Sequence, residues 1–157
     1  MNYLEVKKDI YWVGSLDPEL RVFDIIMYTP YGTTYNSYVV KGSEKIAVFE
    51  TVKEKCFDDY LSKLNSLGID PKSIDYIVVD HTEPDHAGSV EKLLELSPKA
   101  KVIGSMQAIE FLKDIVNKDF EYIVVGDNDT ISLGNKTLQF ISAPFLHWPD
   151  SMRSEEH

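Results

Sequence analysis

The chain reads as an α/β domain built on a mixed sheet. Three observations predict this. The first third is a series of short Val-, Ile- and Tyr-rich runs separated by turn residues. The middle alternates helical and strand-like periodicity. The last third holds two more extended runs around Gly134-Asn135. A length of 157 residues fits one domain of ordinary size.

The elements follow in order. Ile10-Tyr11-Trp12-Val13 is a short strand closed by Gly14. Arg21 to Tyr28 is rich in Val, Phe and Ile and reads as a second strand. Pro30-Tyr31-Gly32 turns the chain into a third, Thr33 to Val40. Gly42-Ser43-Glu44 turns it again into Lys45 to Glu50. These short connections predict an antiparallel meander. Thr51-Val52-Lys53-Glu54 has the form of a capping box. Behind it Val52, Cys56, Tyr60, Leu64 and Leu67 recur at helical spacing, and Gly68 is the natural stop. Tyr76 to Val79 is a strand. Ser89 to Leu96 is a helix ended by Ser97-Pro98. Lys101 to Gly104 is a strand, Ser105 to Val116 a helix, and Glu121 to Val125 a strand. Asp129 to Leu133 and Lys136 to Ser142 form a hairpin about Gly134-Asn135. Residues 1–152 read as one unit, and the polar residues Arg153 to His157 as a frayed or foreign tail.

Composition narrows the function. Hydrophobic residues make up 43% of the chain, enough for a real core. Sixteen Lys and Arg against 26 Asp and Glu give a net charge of −10. That balance disfavours nucleic acid and anionic membrane as partners. The single cysteine, Cys56, cannot form an intramolecular disulfide, and its apolar neighbours predict a buried thiol rather than a nucleophile. Met1 to Gly14 has no continuous apolar stretch, so no leader or membrane span is expected, and the expected location is cytoplasmic. Isolated glycines leave no phosphate-binding loop or dinucleotide fingerprint.

The chemistry concentrates in His81-Thr82-Glu83-Pro84-Asp85-His86. Two imidazoles and two carboxylates fall within six positions, after the apolar run Ile74 to Val79. Imidazole nitrogen and carboxylate oxygen suit borderline divalent metals such as iron, zinc and manganese. His81, Glu83 and Asp85 are spaced by two, so an extended backbone could turn them to one side, with His86 adding a donor. One loop could then serve two metals. A helical site with two His four apart does not fit, because these are five apart with Pro84 between them. The bland alternative is a surface turn in which Asp85 caps the helix that follows. His147, flanked by apolar residues and Trp148-Pro149, is the candidate fifth ligand.

The run Asp80 to Ser89 resembles the metal-binding signature of the flavodiiron proteins, A-type flavoproteins on the metallo-β-lactamase fold. Ile10 to Gly14, Gly32 to Tyr38 and His147 to Met152 match the family as well. The resemblance implies the N-terminal portion of an αββα sandwich, with a mixed sheet and helices on one face. It implies that His81, Glu83 and His147 bind one iron, and that Asp85 and His86 bind another. Zinc hydrolases of this fold carry His where this chain has Glu83, and the harder oxygen donor suits iron. In the family, two ferrous ions reduce O2 to water or NO to nitrous oxide. The electrons come from FMN in a C-terminal flavodoxin-like domain or from a rubredoxin-type donor.

The family pattern also needs a bridging carboxylate and a distal histidine beyond the His147 region. Neither has a counterpart in the ten residues that follow it, where His157 is the sole later histidine and Asp150 is not the bridging position. Incomplete metal loading and little turnover by this chain alone are therefore expected. A partial sandwich would expose an apolar sheet face, which implies a homo-oligomer or association with a complementary half. Two rival readings remain: a zinc-dependent hydrolase of the same fold, and a non-catalytic O2-sensing or interaction module.

Overall fold

The computed structural model describes Tyr3–His157; Met1 and Asn2, the start of the stretch read as lacking a leader, lie outside the described residues. β1 (Leu4–Lys7) and β2 (Ile10–Trp12) are followed by β3 (Ser15–Asp17), β4 (Val22–Phe23), β5 (Met27–Tyr28), β6 (Thr33–Tyr35), β7 (Tyr38–Lys41) and β8 (Ile46–Phe49). Helix α1 (Phe57–Ser66) leads to β9 (Tyr76–Val78). Helices α2 (Pro84–Ala87) and α3 (Val90–Leu96) lead to β10 (Lys101–Gly104), and α4 (Met106–Ile115) to β11 (Tyr122–Val124). The chain closes with β12 (Thr130–Ser132), β13 (Thr137–Ser142) and β14 (Met152–Glu156).

The main sheet has seven strands in the order β1-β2-β7-β8-β9-β10-β11. β1 with β2 and β7 with β8 pair antiparallel through short turns, and β2 pairs antiparallel with β7 across the segment that carries β3 to β6. From β8 onward the pairing is parallel, because each connection carries a helix. Strand alternation divides the core. Val39 lies opposite Val48, Val48 opposite Ile77, and Ile77 opposite Val102. This row is buried against Tyr60 and Leu64 of α1, Leu93 of α3, and Ile109 and Leu112 of α4. The neighbouring positions Val40, Ala47, Val78 and Ile103 face the other way. They meet Leu133, Leu138, Phe140 and Met152, which belong to or adjoin a second sheet of order β12-β13-β14. The helices thus cover one face and a second sheet begins to cover the other, the layering expected of an αββα sandwich. The inner face is therefore partly clothed rather than bare.

Several expectations need correction. Arg21 to Tyr28 is not one strand: it folds on itself as the β4–β5 hairpin, with Asp24 and Ile25 at positive φ. Thr33 to Val40 breaks at Asn36-Ser37, so β6 pairs with β3 while β7 joins the main sheet. The capping box does not form. The Thr51 hydroxyl donates to the His86 carbonyl at 2.6 Å and accepts from the Ser89 amide, and the helical segment opens with a 3-10 turn at Glu54–Cys56 that has no side-chain cap. Cys56 is half-buried against the core rather than enclosed. The tail is not frayed. Arg153 to Glu156 lie in β14, paired along β13 from Ser142↔Met152 to Leu138↔Glu156.

Other local signals hold. Gly68 at φ +75° ends α1, its amide bonded to the Asn65 carbonyl while that of Ile69 reaches Leu64. Ser105 caps α4 by accepting from the Ala108 amide at 3.1 Å. Among the described residues, no helix is long and apolar enough to cross a membrane.

Candidate metal centre

The chemically dense residues gather beyond the carboxyl ends of β8, β9 and β10, the edge where parallel sheets place their sites. Glu50 directly follows β8. Asp80 and His81 follow β9, after Val79 donates its amide to Ile103. Glu83 is extended at φ −60° and ψ 148°, and Pro84 then takes the first position of α2. Proline suits that position because its missing amide hydrogen is not needed there and its φ is preset. The Glu83 carbonyl accepts from the amides of His86 and Ala87. The loop is thus extended through Glu83 and a single helical turn through Asp85 and His86. Asp85 lies in that first turn, but α2 has no side-chain cap bond. Gly88 closes the turn where a Cβ would come within 2.4 Å of the Pro84 carbonyl oxygen.

Three of the five candidate ligands converge. The Glu83 Oε2 atom lies 3.2 Å from His81 Nε2 and 3.2 Å from His147 Nε2. The donor atoms of His81, Glu83 and His147 all fall within 4.8 Å of one another. The other two lie beside them. Asp85 Oδ2 is 3.5 Å from His86 Nε2, and the His81 and His86 rings are 5.1 Å apart between centroids. His147 approaches from the loop between β13 and β14, its ring 5.0 Å from that of His81. Trp148 stands edge-on to His81 at 5.0 Å. The cleft over these groups has a volume of about 630 Å³, with Tyr38, Phe49 and Leu146 among its walls.

The electrostatics favour a cation. Glu50, Asp80, Glu83, Asp85 and Asp150 crowd three imidazoles, and among the described residues no Lys or Arg pairs with any of them. Burial, and then the neighbouring Glu50 carboxylate, push Asp80 up to about 7. Burial alone would lower the His86 imidazole, but Glu50, Asp85 and Glu83 outweigh it and raise it to about 9. Asp85 Oδ1 is a buried acceptor without a donor. Buried oxygens in native proteins are nearly always satisfied, so a hard divalent cation fits this donor set.

Two acids escaped the sequence reading. Asp150, wholly buried, holds the far side of His81: its Oδ2 lies 3.2 Å from His81 Nδ1. Glu50 Oε2 lies 3.2 Å from His86 Nδ1, and its Oε1 accepts from the Asp80 amide at 2.6 Å. The available signal for Glu50 was an acid closing an apolar strand at the same edge as Asp80. Asp150 lay within the matched run His147 to Met152, but nothing in that run assigned it a partner, because its role depends on the fold of a loop.

Residues 33–154 match the family described as "ODP family beta lactamase". The chain belongs to that family, as the N-terminal part of the metallo-β-lactamase-like domain of flavodiiron proteins. Flavo-diiron protein FprA2 of Clostridium acetobutylicum is 49% identical over 154 residues, covering 97% of this chain and 38% of that relative. Type A flavoprotein fprA of Rhodobacter capsulatus is 43% identical over 149 residues, covering 93% and 34%. The flavodiiron protein from Giardia intestinalis superposes with a TM-score of 0.93 at 30% identity, over 99% of this chain and 38% of that one. Rubredoxin oxygen:oxidoreductase from Desulfovibrio gigas gives 0.90 at 38% identity, over 98% and 38%. The chain therefore spans little more than a third of the length of these relatives.

Proposed function

We propose that this chain supplies the iron-binding portion of a flavodiiron-type oxidoreductase that reduces O2 to water or NO to nitrous oxide. The observation that supports this most is the convergence of His81 Nε2, Glu83 Oε2 and His147 Nε2 within 4.8 Å. In this reading those three hold one iron, and Asp85 and His86 contribute to a second. Ferrous iron, when bound, supplies the vacant coordination positions and the electrons that the reduction requires. The chain's own groups do the rest. Glu83 gives a hard anionic donor between two neutral nitrogens. The Trp148 edge and the apolar cleft walls screen His81 from bulk water. FMN, carried by a further domain or a separate chain, and a rubredoxin-type protein are the proposed electron sources; the rubredoxin follows from the likeness to rubredoxin oxygen:oxidoreductase of Desulfovibrio gigas. Association with a second copy would cover the apolar sheet face, whereas the bridging carboxylate and distal histidine would come from a complementary half.

Two histidines and a glutamate also form a known zinc donor set, which keeps a zinc-dependent hydrolase as the second reading. One experiment separates them. The chain is loaded anaerobically with ferrous iron and, separately, with zinc. The iron form is supplied with a reductant and O2 or NO, and the zinc form with ester and thioester substrates. Iron retention with gas consumption supports the oxidoreductase, even if turnover is slow. Hydrolysis with zinc, and no retention of iron, would replace it with the hydrolase.

A further inference from the structure

We propose that Asp150 is a positioning residue for the metal centre: it keeps the His81 proton on Nδ1, so that Nε2 is left bare towards Glu83 and His147. The inference rests on the metal-binding reading above and goes beyond it in assigning a role outside the ligand set. Asp150 is 0% exposed. Its Oδ2 lies 3.2 Å from His81 Nδ1 and accepts from the Thr82 amide at 2.7 Å and the Thr82 hydroxyl at 2.8 Å. Its main-chain carbonyl accepts from the Ser105 hydroxyl at 2.8 Å. Two residues on, the Met152 amide donates to the Asp80 carbonyl at 2.9 Å. Residue 150 is thus held through Oδ2 and through its main chain, which keeps that oxygen against the imidazole, while Oδ1 is buried without a partner.

A carboxylate oxygen only accepts. With the Nδ1 lone pair facing it, two acceptors would oppose each other inside the protein. With the proton on Nδ1, the contact becomes a charge-assisted hydrogen bond, the ring is oriented, and the basicity of Nε2 rises. The neighbouring ring also lies between two acids, but without that hydrogen bond, since neither His86 Nδ1 nor Glu50 Oε2 has a hydrogen-bond partner. His86 has Glu50 Oε2 at 3.2 Å on Nδ1 and Asp85 Oδ2 at 3.5 Å on Nε2. Each imidazole of the loop therefore stands between an outer acid and an inner one. The outer acids come from segments far from the loop in sequence.

The test uses zinc as a diamagnetic probe on the chain, with Asp150→Ala, Asp150→Asn and the core control Ile109→Val. The readouts are zinc affinity and the ring proton of His81 in nitrogen-labelled histidine spectra. The unsubstituted chain should show a proton on Nδ1 that exchanges slowly. Asp150→Ala should weaken zinc binding about 10- to 100-fold and lose the slow exchange. Asp150→Asn keeps an oxygen for Thr82, so it should fold and fall between the two. Ile109→Val should leave both readouts as they are. If Asp150→Ala does not fold, Asp150→Asn carries the test. Zinc binding and a ring proton unchanged in the Asp150 variants would overturn this role alone. An unsubstituted chain that takes up no zinc would overturn the metal reading, and this role with it.

Discussion

His147 Nε2 lies 3.2 Å from Glu83 Oε2 although 64 positions separate the two residues. Glu83 is set by the end of β9 and the start of α2. His147 is set by the loop that joins β13 to β14, and that loop is held by the second sheet. The contact therefore depends on the two sheets being packed together through Leu138, Phe140 and Met152.

Phe140→Ala should affect both stability and the site. Phe140 is 1% exposed in the layer between the sheets. Its truncation is expected to cost about 3–5 kcal/mol, read as a lower urea midpoint. Because the His147 loop is anchored by the same sheet, metal affinity should fall too, although Phe140 itself offers no ligand.

Glu83→Ala removes the oxygen shared by two imidazoles. A ligand present at 100 times its dissociation constant stabilises the folded state by about 2.7 kcal/mol. For a chain of this size that corresponds to a rise in melting temperature of about 5–10 °C. The rise on adding ferrous iron should be present in the unsubstituted chain and absent in Glu83→Ala, as read by anaerobic thermal unfolding.

Asp17 provides a pH prediction away from the site. Burial would raise its carboxyl, but the Lys55 ammonium and the Tyr35 hydroxyl, each 2.5 Å from Oδ2, outweigh it and hold it below the usual range. A depressed carboxylate contributes stability above its unfolded value, near pH 3.9, and loses it as pH falls through the lower folded value. Asp17→Asn should therefore be less stable by about 1–2 kcal/mol at neutral pH. The denaturation midpoints of the two chains should converge below the ordinary carboxylate range.

Removing Arg153 to His157 tests the last strand. β14 pairs with β13 from Met152 to Glu156, and Glu156 accepts from Lys136 at 2.7 Å and Lys7 at 2.8 Å. Several ladder bonds at about 1 kcal/mol each predict a loss of about 2 kcal/mol or more. The melting temperature should drop by about 4–8 °C. An unchanged melting curve would mean that the strand contributes nothing.

Much of the fold was legible because its signals are local. Gly68 ends α1 through its positive φ, Ser105 caps α4, and the apolar alternation of Val39-Val40, Ala47-Val48 and Ile77-Val78 divides the two faces of the sheet. What could not be read depends on distant contacts. Thr51 looked like a cap, yet its hydroxyl serves His86 and Ser89 from another loop. The tail looked frayed because its sequence is polar, yet it lies along β13 with its acid against two lysines. His81, Glu83, Asp85 and His86 were legible as a dense motif. Glu50 and Asp150 were not, since each becomes relevant only once folding sets it behind an imidazole.

The central claim is that one loop and one distant histidine together hold a metal ion. Its most direct test is an anaerobic calorimetric titration of the chain with ferrous iron, alongside His147→Ala. Saturable binding is expected, and His147→Ala should weaken it about tenfold or more. No binding, or equal binding by the two chains, would contradict the claim.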